Sequence, residues 1–170
     1  MAGPVKGTGR MTRLALLTAI ALTIFMAEAQ IPALTTVPGV KLGLANIVTV
    51  YVMFAMGPGD ALLALSGRVF LGAVFSGQPM TLIYSAAGGF LSWCVLCLLR
   101  KLLSGEQIWL ASPVAAVFHN IGQLLAAAAV LHSWAVMAYL PHLVIAAVIA
   151  GLFTGIAAQA LIKRLKKVQK

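Results

Sequence analysis

Charge is what this sequence has least of. Only 9% of its 170 residues are Asp, Glu, Lys or Arg, against about 25% in an ordinary soluble domain. Three are acidic: Glu28, Asp60 and Glu106. So few carboxylates leave no set that would hold Mg²⁺. The phosphate loop G-x-x-x-x-G-K-[ST] is absent, so the chain has no ATPase site of that kind. No nucleophile, base and orienting group assemble into a triad. Cysteine is scarce too: Cys94 and Cys97 lie in one apolar stretch, where a helix would put them on a shared face. With no further ligands beside them, they read as packed, reduced thiols that behave as small hydrophobes. No enzyme activity, cofactor or metal is expected.

What the chain does have is apolar length. Hydrophobic residues make up 62% of it, with a mean hydropathy of +1.03. At about 20 residues per crossing, five or six membrane spans fit. Six apolar runs can be marked between charges and Gly/Pro clusters. They cover approximately Thr12 to Ile31, Val40 to Met56, Asp60 to Phe75, Met80 to Leu103, Ser112 to Leu131 and Ala138 to Ile162. Asp60 is suited to cap the third helix, and Ser112-Pro113 to open the fifth with proline in its first turn. The expected fold is all-α: an integral membrane bundle of six transmembrane helices over residues 12–162. A basic segment, 1–11, precedes it and a basic tail, 163–170, follows. The first run resembles a signal peptide in its basic flank, but at about twice the length of a signal h-region it reads as a retained span.

The net charge of +9 does not imply nucleic acid, because the basic residues sit where topology signals sit. Of twelve Lys and Arg, the N-terminal end holds three (Lys6, Arg10 and Arg13), the close of the fourth run two (Arg100 and Lys101) and the tail five. Six spans put all ten on one side, the cytoplasmic one by the positive-inside rule. Both termini are therefore expected in the cytoplasm, and the protein in the cell membrane among its lipids.

Ionisable groups at bilayer depth cost about 2.5–3.5 kcal/mol on insertion scales, so each needs a reason. Arg68, mid-way along the third run, reads as a counter-ion for an anionic ligand, as half of a pair with Glu28 or Asp60, or as a side chain snorkelling to an interface, which a mid-run position makes hard. Glu28 and Gln30 close the first run, and Lys41 and Asn46 open the second, which would bring them to the outer mouth of the bundle. In the fifth run His119 and Gln123 share a helix face, with Asn120 beside them. Such groups suit either a ligand or helix-to-helix hydrogen bonding. Tyr84, followed by Ser85 and Gly88-Gly89, stands apart from the aromatics near span ends and is placed to stack on a ligand. Ala15 and Ala19 in the first run, and Gly151 and Gly155 in the sixth, have the spacing of closely packed helices. Internal packing is the default reading of both pairs.

Five ordered strings resemble one known family. They are VKLGLANIVTVY (Val40 to Tyr51), SGRVFLGAVFSG (Ser66 to Gly77), YSAAGGFLS (Tyr84 to Ser92), VFHNIGQLLAA (Val117 to Ala127) and AYLPHL (Ala138 to Leu143). They are similar to the Gx transporter family, whose members are also labelled heptaprenyl diphosphate synthase component I. The resemblance covers about residues 12 to 160. That family in turn resembles the S components of energy-coupling factor (ECF) transporters. These are six-helix membrane proteins that capture a small molecule from outside and work with a coupling protein and two ATPases. The resemblance implies a substrate site built from Arg68, Asn46, His119, Asn120, Gln123, Tyr84, Glu28 and Lys41, and a docking face at Ala15 and Ala19. The alternative label implies a membrane subunit beside a soluble prenyl diphosphate synthase. A stand-alone secondary carrier is the third alternative.

Overall fold

The computed structural model describes residues 7–30, 43–103 and 107–168, with side chains to residue 165. Among the described residues the regular structure is helical throughout: α1 (Thr8–Glu28), α2 (Asn46–Ala55), α3 (Pro58–Ser76), α4 (Pro79–Leu102), α5 (Ile108–Val130) and α6 (Leu140–Val168), with a 3₁₀ turn at Trp134–Tyr139.

Five of the six helices are long and apolar enough to cross a membrane. The second is not. Where the run Val40 to Met56 predicts a full span, α2 has only 10 residues, about 15 Å at 1.5 Å per residue against a hydrocarbon core of about 30 Å. It sits at the centre of the bundle and touches all five other helices, whereas α1 touches only α2 and α3.

Two helix starts differ from expectation. Asp60 does not cap α3: the helix opens one turn earlier on Gly57-Pro58, with proline at its first position. The α5 helix begins at Ile108, so Pro113 is inside it. A proline this near the start removes one early hydrogen bond instead of breaking a long ladder. At the other boundaries Gly77, in the left-handed region, ends α3. The sixth helix continues past Ile162 into the basic tail as far as Val168.

Contacts gather the basic ends of the helices together. Arg10 at the start of α1 grips the Asp60 carboxylate at the start of α3. Trp93 of α4 donates its indole N–H to the Pro58 carbonyl, and the Gln159 side chain near the end of α6 accepts the backbone N–H of Trp109 at the start of α5. An apolar core fills this end, joining Val52 and Met53 of α2, Leu96, Ile108, Ala111, Ala158 and Ile162. A smaller core of Tyr84, Leu124, Ala127, Val136 and Leu143 fills the opposite end. Between them along α5 comes a layer of polar side chains.

Candidate functional site

The polar layer draws on four helices. From α3 comes Arg68, 2% exposed and the largest of the fully buried side chains. Its guanidinium lies over the Phe25 ring of α1, 5.9 Å from the centroid, a cation–π contact that gains strength where water is excluded. Gly72, one turn on, makes room for that ring: a Cβ there would come within 2.7 Å of Phe25 Cε1. From α1 comes Glu28, whose two carboxylate oxygens accept the backbone N–H groups of Gly43 at 2.6 Å and Leu44 at 3.0 Å. These N–H groups belong to the turn that leads into α2, so the carboxylate fastens that turn to the end of α1.

Gly43 has φ +81, a left-handed conformation that other residues rarely adopt. It is also a close approach, since a Cβ would come within 2.8 Å of Asn46 Nδ2 and 2.9 Å of His119 Cδ2. The start of α2 is thus pressed against the His119 ring of α5. On its other side His119 meets Gly88 of α4. Gln123, one turn along, is paired with His119 Nε2 at 3.0 Å; with the amide donating, the ring proton belongs on Nδ1. The contact with Phe25, three residues before Glu28 on α1, brings the Arg68 guanidinium to the same end of that helix.

Glu28, Asn46, Arg68 and His119 therefore come together, with Gln123 holding the imidazole. Asn120 turns to α6, where its amide donates to the Leu143 carbonyl at 3.0 Å. Tyr84 is buried in the apolar core beyond the layer. Lys41 lies outside the described residues. Of the two expected partners for Arg68, Asp60 is taken by Arg10 and Glu28 is at hand. Sequence reasoning missed Phe25 and Gly43. The first carries a signal in hindsight, three residues before Glu28 and so on its helix face. The second is a glycine interrupting an apolar run.

The layer contains more polar capacity than it uses. Among the described residues, Nε and Nη2 of Arg68, both amide atoms of Asn46, Nδ1 of His119 and Oδ1 of Asn120 lack a hydrogen-bond partner. Orphaned buried groups cost about 1–3 kcal/mol each, more when charged. A bundle that only needed to hold its helices together would have no use for them. A hollow of about 210 Å³ between Trp109, Ile156, Gln159, Ala160 and Lys163 is an apolar groove that involves none of these residues.

The small-residue pairs part company. Gly151 and Gly155 of α6 lie against α5, at Pro113 and at Trp109 and Ser112. Ala15 and Ala19 face outward from α1. Cys94 and Cys97 are thiols, and Cys97 packs against the core at the basic end.

Length, composition and burial together define a multi-pass helical membrane protein with an ionisable layer inside its bundle. Residues 17–161 match the model of the family described as heptaprenyl diphosphate synthase component I. The chain belongs to that family. No curated protein and no solved structure matches it.

Proposed function

We propose that this protein is a substrate-capture membrane subunit, of the S-component kind, in an ECF-type uptake transporter for a small anionic or amphipathic molecule. The observation that supports it is the buried layer at Arg68, Asn46 and His119, with more donors and acceptors than the fold pairs. Arg68 neutralises the anionic group, while Asn46 and His119 orient polar parts and Asn120 and Gln123 extend the set. Tyr84 packs against the apolar portion. In this reading the second run completes six crossings, the basic end faces the cytoplasm, and the site opens to the outside. Ala15 and Ala19 dock a coupling protein, and two ATPases supply the energy this chain has no motif to supply. The subunit itself is not catalytic.

The family description favours a second reading, a non-catalytic membrane subunit bound to a soluble prenyl diphosphate synthase. The two readings predict different companions. Purification in mild detergent with mass spectrometry of proteins and small molecules should recover a coupling protein, ATPases and a bound anion. Arg68→Ala should abolish uptake of that anion by cells. Recovery of a soluble synthase alone would favour the second reading. Lipids as the only small molecules, with uptake of every candidate unchanged in Arg68→Ala, would end the capture proposal.

A further inference from the structure

The Glu28 carboxylate is in an unusual position for a side chain that would otherwise greet an incoming anion. It is buried and bonded to the Gly43 and Leu44 N–H groups, and three residues before it on α1 the Phe25 ring lies under the Arg68 guanidinium. Two adjacent backbone N–H groups in the turn before α2, with an unpaired buried guanidinium edge nearby, are the elements of an oxyanion site. We propose that Glu28 is a built-in occupant of this site, and that a ligand carboxylate or phosphoryl group takes the seat by displacing it. The proposal deepens the capture reading and rests on it for the physiological ligand.

Three features carry the argument. First, polar atoms beside the seat await a partner that Glu28 does not provide. Arg68 Nε and Nη2 form one edge of the guanidinium, the edge that binds a carboxylate or phosphate with two parallel hydrogen bonds, and neither is paired. Asn46, whose amide lies next to Gly43, has both its polar atoms unpaired as well. Glu28 holds the N–H end of the seat and leaves this edge unfilled.

Second, charge favours exchange over addition. Among the described residues of the layer, one guanidinium stands against one carboxylate. A second anion beside them would bury uncompensated negative charge in a low-dielectric interior, which costs several kcal/mol. Replacing one carboxylate by another does not. Third, the bond from Glu28 to Gly43 joins residues 15 apart. Its loss removes a link between the end of α1 and the turn before α2, so ligand arrival is coupled to how firmly α1 is held.

The test uses chemical rescue in the purified, full-length protein in detergent. Glu28→Ala empties the seat and leaves the Gly43 and Leu44 N–H groups without their acceptor, so the Tm should fall. Sodium acetate or phosphate should restore at least half of that loss in a saturable manner, whereas sodium chloride at matched ionic strength should not. The same salts should leave the wild-type Tm unchanged, and the double variant Glu28→Ala/Arg68→Ala should not recover. Glu28→Gln keeps an oxygen for the Gly43 N–H but no charge. It should gain more stability from acetate than wild type does, and it is decisive if Glu28→Ala fails to fold. Equal responses in wild type and both Glu28 variants, or full recovery in the double variant, would overturn the seat. Rescue by acetate together with unaltered uptake in Arg68→Ala would keep the seat and remove the capture reading. Loss of uptake in Arg68→Ala without rescue would do the reverse.

Discussion

The α1 helix and the α5–α6 seam are built from similar sequence and do opposite things with it. Both have small residues four apart: Ala15 and Ala19 in α1, Gly151 and Gly155 in α6. Along its apolar stretch α1 is 17% buried, the least of the spanning helices, and α5 is 50% buried, the most. At the seam the glycines let α6 settle directly onto the α5 backbone, gaining dispersion contacts that lipid tails would otherwise supply. In α1 the alanines lie on an outward surface beside the exposed Leu16 and Ile20. The spacing says that a backbone can come close; it does not say whose.

The sharpest way to break this comparison is to enlarge both pairs. In Gly151→Leu the new side chain has to occupy the place of Pro113, where backbone cannot move aside. Overpacking a core typically costs 1–3 kcal/mol, and here about 3 kcal/mol or more is expected. Loss of monodisperse protein, or a Tm lower by on the order of 10 °C, would register it. Ala15→Leu and Ala19→Leu should behave as surface changes, within about 0.5 kcal/mol of wild type, and keep the same elution profile. Their effect should instead appear as loss of any co-purifying coupling protein. An Ala19→Leu variant as unstable as Gly151→Leu would show that α1 packs internally after all.

A milder probe asks what the polar groups of the seam contribute. The Ser112 and Thr154 hydroxyls meet at 2.8 Å, buried between α5 and α6. A double-mutant cycle with Ser112→Ala and Thr154→Val should return a coupling of about 0.6 kcal/mol, the usual size for such bonds inside membranes. A coupling near zero would leave close glycine packing as the whole of the seam's strength.

The outline of the fold was legible because hydropathy and breakers are local. Five of six apolar runs became long helices, and Gly77 ended α3 as its position after the third run predicts. Arg68 was legible as well, since an arginine in mid-run has few places to go. What sequence could not give was depth and facing. The run Val40 to Met56 is apolar apart from Lys41, Asn46 and Thr49, yet of its described residues, Gly43 onward, the helix takes in Asn46–Ala55, because residues packed at the centre of a bundle are as apolar as residues facing lipid. His119, Asn120 and Gln123 read as one cluster, yet Asn120 is about 100° around the helix from His119 and reaches α6 instead. The seat at Gly43 depends on a contact with Glu28 across 15 residues, and no local pattern encodes that.

The smallest expected effect concerns how α1 is fastened at its basic end, and it has a definite asymmetry. The Arg10 side chain is 56% exposed while that of Asp60 is 5% exposed. Removing the arginine, as in Arg10→Gln, leaves a buried carboxylate without a counter-charge. Removing the carboxylate, as in Asp60→Asn, leaves a guanidinium that water can solvate. Arg10→Gln should therefore lower Tm more than Asp60→Asn does, although both charges are lost from the same pair. The gap between wild type and Arg10→Gln should also narrow at about 0.5 M salt, because screening reaches the exposed partner. The seam, held by backbone contact, should show no such dependence. A reversed order would mean that Asp60 has a partner besides Arg10, and that α1 is not fastened at this end by charge.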